Sequence, residues 1–233
     1  SIGSGDKAIL EAEWRIVKGS TDYCGKGVML CGFWVEKIAV DSFISQWAPV
    51  AALQPVAWLP VTAAELPGSV LAWLAEPGSL TQRLRAEPGV LTLHCLYQGA
   101  APDDDGWQRQ VLLLKAGRPW VWALTQASAS TLNQHPELAQ QGERPLGDWL
   151  FGAAAARRDS LLYADLAQQE ALVEALQRWR LPLPTRLWAR HSRFALPQGS
   201  CSITELFLPD SPLYAGVDDE DQHASGDDLA VAR

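Results

Sequence analysis

Cysteine and histidine are scarce in this chain of 233 residues, which contains four of each. The spacing that is typical of zinc-binding cysteines and histidines is absent. The scattered cysteines also do not form the disulfide framework of a small secreted domain. We therefore expect reduced thiols and no bound metal, with the last cysteine packed inside a strand. The cysteines are Cys24, Cys31, Cys95 and Cys201.

Long apolar stretches are also missing. No segment approaches the about 20 apolar residues that a membrane-spanning helix needs, and the first residues lack the charged, apolar and cleavage-site order of a signal peptide. We therefore expect a cytoplasmic protein. The composition, 48% hydrophobic and 20% charged, is typical of one globular domain with a substantial core.

An excess of basic residues, which many nucleic-acid-binding proteins show, is absent as well. The formal net charge is −8. The segment from Ala215 to Arg233 contains six acidic residues and one arginine, so its net charge is −5 and that of the remainder is −3. Because this segment has little apolar surface to bury, residues 215–233 are predicted to be an acidic, disordered tail.

The first part of the chain shows no clear pattern, and Met29 is the only methionine. We interpret residues 1–54 as an N-terminal extension that is poorly ordered or not native, with translation starting at or after Met29. An orderly pattern begins at Pro55. Residues 55–214 are therefore predicted to be the folded domain.

Helix and strand signals within this domain predict an α+β fold. Capping, proline and periodicity signals predict helices at Ser69–Ala75, from the capping box Ser79-Leu80-Thr81-Gln82, within 142–151, and from Ser160 to Arg180. Strand patterns occur at Val90–Tyr97, Trp107–Leu114, Pro119–Thr125, Leu187–Leu196 and Cys201–Leu208. The segment Lys115-Ala116-Gly117-Arg118 predicts a hairpin turn between the second and the third of these strands. We expect a single antiparallel sheet of about six strands with helices inserted.

Two charged residues lie on strand faces that are otherwise mostly apolar. Arg109 shares a face with Trp107, Val111 and Leu113, and Glu205 shares one with Cys201, Ile203 and Phe207. A buried salt bridge between the two, or an arginine that reaches water along its stem, would explain them structurally. A closed pocket would explain them functionally, with the arginine binding a substrate carboxylate and the glutamate moving a proton.

Four segments together resemble the chorismate pyruvate-lyase family. They are Pro119-Trp120, Arg144 to Phe151, Leu187 to Arg193, and the final Thr204-Glu205-Leu206-Phe207-Leu208-Pro209-Asp210-Ser211-Pro212-Leu213-Tyr214. The resemblance runs in order from about Pro55 to Tyr214. It implies a carbon–oxygen lyase that converts chorismate to 4-hydroxybenzoate and pyruvate, the first step of ubiquinone biosynthesis.

The resemblance also implies properties beyond the reaction. It implies a cytoplasmic enzyme, expected to be a monomer, that acts on small molecules without nucleic acid, membrane span, metal or organic cofactor. It implies an internal ligand site covered by helical flaps. Carried over position by position, the ligand-contacting residues are Leu80, Arg109, Leu146 and Glu205. Arg109 and Glu205 would be catalytic, while the two leucines would enclose the ring.

Two departures from the family pattern stand out. Leu124 occupies the position where relatives commonly have an arginine in the strand after Pro119-Trp120. If that arginine binds the second carboxylate, chorismate would bind weakly here unless Arg190 or another base replaces it. The stretch from Ser160 to Arg186 is also longer than in compact relatives, and we interpret the extra length as a surface insertion rather than a longer flap.

Two other function classes remain open. The alternative within the same fold is a non-catalytic sensor domain that binds an aromatic acid, as in some bacterial transcription regulators. Residues 1–54 lack a convincing basic recognition helix, which argues against a complete regulator. An interaction protein that uses the tail and the 11 tryptophans would explain neither Arg109 nor Glu205.

Overall fold

The computed structural model describes residues 28–30, 33–35, 53–63, 66–101, 106–152 and 155–215. The chain divides into two compact units, Ser1–Ala48 and Pro49–Arg233. In the first unit, β1 (Val28–Leu30) pairs antiparallel with β2 (Phe33–Val35). The extension expected at residues 1–54 and the acidic tail expected at 215–233 lie almost wholly outside the described residues, and both stay predictions.

The second unit is built on one antiparallel sheet of seven strands in the order β3-β7-β8-β9-β6-β5-β4. The α+β class is confirmed. The strands are β3 (Leu59–Pro60), β4 (Leu91–Ala100), β5 (Trp107–Lys115), β6 (Arg118–Ala127), β7 (Arg157–Asp165), β8 (Trp188–Leu196) and β9 (Gly199–Phe207).

The helices of this unit are short and lie between strands. They are α1 (Gly68–Leu74), α2 (Leu80–Ala86), α3 (Ala129–Gln134), α4 (Leu146–Leu150) and α5 (Glu170–Arg178), with 3₁₀ segments at Val61–Ala63, Pro136–Gln140 and Pro212–Tyr214. The serine cap predicted before α2 is confirmed, since the Ser79 side chain accepts a hydrogen bond from the Gln82 backbone N–H. No helix within the described ranges is long and apolar enough to cross a membrane.

The hairpin predicted around Lys115–Arg118 is confirmed. Its central residues, Ala116 and Gly117, have φ angles of 49° and 79°, and Lys115 pairs with Arg118. Positive φ at both central residues is typical of the turns that match the twist of paired strands. The turn sets the register that places Arg109 opposite Thr125.

The helix predicted from Ser160 to Arg180 was wrong in its first part. Residues up to Asp165 belong to β7, which pairs with β8 on one side and with β3 on the other, and α5 begins only at Glu170. Pairing on both sides outweighs the helix-like spacing of the leucines in this segment. The first part of Ser160–Arg186 is therefore a sheet strand and not a surface insertion.

Two apolar clusters pack helices against one face of the sheet. The first joins α1 and α2 to Leu113, Val121 and Phe207. The second joins α4 to Trp107, Ala127 and Cys201. Strand residues two apart share a face, so Arg109 and Glu205 lie on the same face as the two clusters. Along the strands, both residues are between one cluster and the other. The charged residues therefore lie in a gap between two pieces of core.

Candidate active site

A cavity of about 40 Å³ lies between this face of the sheet and the helices above it. We call Gly68–Ala86 the first flap and residues 142–151 the second flap, because both supply residues to its walls. All four ligand-contacting residues expected from the sequence lie together in the wall of this cavity, which supports the expected site. The lining residues from the flaps include Ser79, Leu80, Thr81, Leu146, Leu150 and Phe151, and those from the sheet include Arg109, Thr125, Arg158, Arg190, Ile203 and Glu205.

Glu205 forms an ion pair with Arg190, which lies directly opposite it on β8. The Arg190 Nε donates to Glu205 Oε2, and the Arg190 Nη1 donates to the Glu76 carbonyl at 3.2 Å. The Arg190 side chain is 1% exposed and the Glu205 side chain is 13% exposed. The salt bridge between Arg109 and Glu205, one of the alternatives that the sequence left open, is therefore not formed. Arg109 is on β5, two strands from Glu205 and two residues along, so the register favours Arg190 as the partner.

Arg109 is 1% exposed and is held by the second flap. Its Nη2 donates to the carbonyls of Gly142 at 2.6 Å and Arg144 at 3.0 Å. Its Nε is buried and has no hydrogen-bond partner among the described residues. Burial lowers the pKa of this guanidinium below its ordinary value, and Cys95 partly opposes that shift. The bonded Nη2 leaves Nε and Nη1 as the donors that could reach a ligand.

Arg158, on β7, is a cavity residue that the sequence did not reveal. Its guanidinium donates to the carbonyls of Glu76, Pro77 and Gly78 in the first flap, at 3.1, 2.8 and 3.1 Å. Burial lowers its pKa, and the charge of Arg190 lowers it further, while the charges of Glu205 and Glu76 partly oppose this shift. Alternation along β7 would have placed Arg158 and Arg157 on opposite faces of a strand, but it would not have shown which strands lie beside them.

Leu80 and Leu146 close the cavity from above. Leu80 is the first residue of α2 and is 2% exposed, and Leu146 is the first residue of α4 and is 6% exposed. Each belongs to a different apolar cluster, so each anchors its own flap. The serine cap of α2 and the Pro145 cap of α4 fix where these helices begin and therefore aim both leucines inward.

The two flaps contact each other over the cavity. Arg85 of α2 and Asp148 of α4 form two parallel hydrogen bonds, both of 3.0 Å. Close by, Gly147 leaves so little room that a Cβ atom there would lie 2.5 Å from Ser79 Oγ. Glycine at this position allows the two helix starts to pack together. These contacts join the two flaps that line the cavity.

Leu124 is not part of the cavity wall. The neighbouring residues Ala123 and Thr125 line the cavity, and side chains alternate along β6. Leu124 pairs with Thr204 on β9, which is also outside the wall. A side chain at position 124 therefore does not reach the cavity, so the leucine removes no group from its wall. Arg190, suggested above as a substitute, does line the cavity.

Comparison with known sequences assigns the chain that forms this site to a family. The profile described as "Chorismate lyase" matches residues 52–218. The chain is 32% identical over 179 residues to the chorismate pyruvate-lyase of Erwinia tasmaniensis, which is 71% of this chain and 92% of that protein. It is 35% identical over 178 residues to the chorismate pyruvate-lyase of Serratia proteamaculans, which is 70% of this chain and 91% of that protein.

The chain also has a distant likeness to a solved structure. The effector domain of PhnF from Mycobacterium smegmatis is 14% identical, with a TM-score of 0.38, over 57% of this chain and 90% of that one. A likeness at this level supports no conclusion about function. The profile, in contrast, spans the whole sheet from β3 to β9, both flaps and every residue of the cavity. On these grounds the chain belongs to the chorismate lyase family.

Proposed function

We propose that this protein is a chorismate pyruvate-lyase, which converts chorismate to 4-hydroxybenzoate and pyruvate. The observation that supports this most directly is a covered cavity in which Arg109 and Glu205 line different strands beneath Leu80 and Leu146. The named activity of relatives matched over nine-tenths of their length agrees with it.

The reaction balances without a co-reactant. The bond between the ring and the ether oxygen breaks, the ring loses one proton and becomes aromatic, and the enolpyruvyl fragment leaves. The fragment gains one proton and is released as pyruvate. The protein therefore has to bind two carboxylates, move a proton and exclude water, which are tasks for arginine, a carboxyl group and apolar walls.

The proposed roles follow from the contacts of each side chain. Arg109 binds the ring carboxylate, because its buried Nε has no other acceptor among the described residues. A two-point grip would also use Nη2, so it requires the carbonyls of Gly142 and Arg144 to release that group. The second flap would then move as substrate enters.

Glu205 is proposed to transfer the proton. Next to the Arg190 guanidinium, an ionised carboxylate is an acceptor, which suits removal of the ring proton during aromatisation. Leu80 and Leu146 are proposed to exclude water from both faces of the ring. The proposal uses no metal or organic cofactor.

The wider setting is proposed from the family relationship alone. We propose that the enzyme is a cytoplasmic monomer that acts on small molecules and supplies the ring precursor of ubiquinone. Gel filtration combined with light scattering tests the monomer: a mass near 25.4 kDa supports it, and a mass near twice that value contradicts it.

The test of the activity mixes purified protein with chorismate. We expect equal amounts of 4-hydroxybenzoate, followed by ultraviolet absorbance, and of pyruvate, followed by a coupled assay. Arg109→Ala and Glu205→Ala should each lose most of the activity, whereas Arg193→Ala, an exposed arginine on β8, should retain it. Tight binding of 4-hydroxybenzoate without any turnover would contradict the enzyme and favour the sensor alternative.

A further inference from the structure

Arg158 lines the cavity on the side opposite Arg109, and the proposed roles above do not use it. We propose that Arg158 binds the second carboxylate of the substrate, the one on the enolpyruvyl side chain. This inference rests on the proposed function and assigns the half of chorismate that Arg109 leaves unbound.

The hydrogen bonds of Arg158 leave one edge of its guanidinium open. The two protons of Nη1 are used by the carbonyls of Glu76 and Pro77, and one proton of Nη2 is used by Gly78. One proton of Nη2 and the proton of Nε remain, and the buried Nε has no partner among the described residues. These two groups form the edge with which arginine binds a carboxylate at two points.

The wall of the cavity also contains more positive than negative charge. Its lining residues include three arginines and one carboxyl group. Glu205 pairs with Arg190, and among the described residues neither Arg109 nor Arg158 forms a direct ion pair with a carboxylate, although the charges of Glu205 and Glu76 act on Arg158 from farther away. Two unmatched positive charges fit a substrate with two carboxylates, because buried charges are stable when they are paired.

The positions of these residues match the shape of the substrate. Arg109 and Arg158 lie on β5 and β7, four strands apart in the sheet, with Glu205 on the strand midway between them. At about 4.8 Å per strand, their Cα atoms are roughly 19 Å apart, and both side chains extend toward the cavity between them. A ring carboxylate at Arg109 and a side-chain carboxylate at Arg158 would bring the ether bond near Glu205.

Aromatic residues hold the Arg158 guanidinium in this position. Its Cζ atom lies 5.2 Å from the ring centroid of Phe151 in the second flap and 5.1 Å from that of Phe194 on β8. Such contacts between a cation and aromatic rings restrict the guanidinium before any ligand arrives. The carbonyls of the first flap restrict it further, so little ordering remains when a carboxylate binds.

The product provides the test, because 4-hydroxybenzoate contains the ring carboxylate but not the side-chain carboxylate. In the 233-residue chain, Arg158→Gln should raise KM for chorismate at least about tenfold, as expected for the loss of charge-assisted hydrogen bonds. The Kd for 4-hydroxybenzoate, measured by calorimetry, should change less than about threefold. Arg158→Lys, which keeps the charge but not the two-point edge, should raise KM by an intermediate factor.

The matched control is Arg157→Gln. Arg157 precedes Arg158 in β7, but its side chain is 82% exposed and pairs with Asp159 at 3.0 Å. This control should leave both constants unchanged. If Arg158→Gln weakens chorismate and 4-hydroxybenzoate equally, or leaves the KM for chorismate unchanged, the inference is overturned and Arg158 only fastens the first flap.

A variant that does not fold and a parent protein without activity each need a separate comparison. If Arg158→Gln does not fold, the same comparison between the two ligands is made with Arg158→Lys, and equal weakening again overturns the inference. If the parent protein does not turn over chorismate, the proposed function fails. Calorimetric binding of chorismate and 4-hydroxybenzoate by the parent and Arg158→Gln still tests the carboxylate site in that case.

Discussion

Glu205 shows why a buried charge has to be assigned a partner from the register of the sheet. An ionised carboxylate among apolar neighbours is costly without a cation, and the strand pattern offers Arg109 as one candidate. The register instead places Arg190 opposite Glu205, with the two residues in neighbouring strands. The pair keeps Glu205 fixed and leaves Arg109 for a ligand.

The Glu205–Arg190 pair predicts that removing one partner destabilises the protein more than removing both. Arg190→Met should lower the free energy of unfolding by about 3–5 kcal/mol, because it leaves a largely buried carboxylate without its cation. The double variant Arg190→Met/Glu205→Leu should recover most of this loss, since no unpaired charge remains. Urea denaturation measures both values. A double variant that is no more stable than Arg190→Met would contradict this explanation.

Cys201 predicts a change of stability at alkaline pH. The expectation that it packs inside a strand is confirmed, since it is 2% exposed in β9, and burial raises the pKa of its thiol to about 12. The folded state therefore keeps a proton that the unfolded state loses above its ordinary pKa of 9.0. The stability contributed by the neutral thiol is full below about pH 9 and is lost progressively toward pH 12.

The measurement for Cys201 is the free energy of unfolding at pH 8 and at pH 10.5. The parent should lose stability between the two, and Cys201→Ala should lose less, because it has no thiol to titrate. Burial also raises the pKa of Tyr214, so some alkaline loss should remain in the variant. Equal losses in parent and variant would show that Cys201 does not contribute.

The flaps are the elements that decide access to the cavity, and each is tied to the sheet through backbone carbonyls. Lys115, 1% exposed at the end of β5, donates to the carbonyl of Leu84 at 2.7 Å near the C-terminus of α2. Arg158 and Arg109 bind carbonyls of the first and second flap, respectively. A ligand that competes for these arginines therefore weakens the hold on the flaps, which links binding to opening.

Gly147 predicts how the contact between the flaps affects product release. Gly147→Ala would bring a Cβ atom within 2.5 Å of Ser79 Oγ, so the flaps should no longer close fully. Overpacking of this kind costs about 1–3 kcal/mol, and we expect 4-hydroxybenzoate to dissociate at least about fivefold faster in stopped-flow experiments. Gly68→Ala is the control, because a Cβ atom there would meet nothing within 4 Å. An unchanged dissociation rate in Gly147→Ala would contradict the role of this contact.

At the scale of elements, local signals predicted what local chemistry determines. The Ser79 cap and the turn at Ala116-Gly117 depend on neighbouring residues, and both are present in the structure. β7 was missed because its strand state depends on partners that are distant in sequence. Leu162 pairs with Pro60 and with His191, about 100 residues before it and about 30 after it.

At the scale of the whole molecule, the net charge does not describe the site. The chain has a formal net charge of −8, whereas the cavity wall contains three arginines and one carboxyl group. Both observations fit an acidic protein that binds a small anion in a covered cavity. The local arginines decide which ligand binds, and the remaining surface decides solubility.

Binding in a covered cavity predicts strong stabilisation by the product. At 100 times its Kd, 4-hydroxybenzoate should add about 2.7 kcal/mol to the free energy of unfolding, because it binds only the folded state. For a domain of this size, that corresponds to a rise in Tm of roughly 5–10 °C. Phenol at the same concentration, which has no carboxylate for Arg109, should produce a much smaller rise. Equal rises in a thermal scan would contradict the role of the carboxylate.

The sequence alone determined the α+β class, the hairpin that contains Arg109, the serine cap of α2 and the family to which the chain is similar, because these follow from local chemistry and from ordered motifs. The pairing of Glu205 with Arg190, the place of Leu124 outside the cavity and the presence of Arg158 within it were decided only by the tertiary structure. Each of these depends on which strands become neighbours in the sheet. Strand order brings together residues that are far apart along the chain, and no local pattern records it.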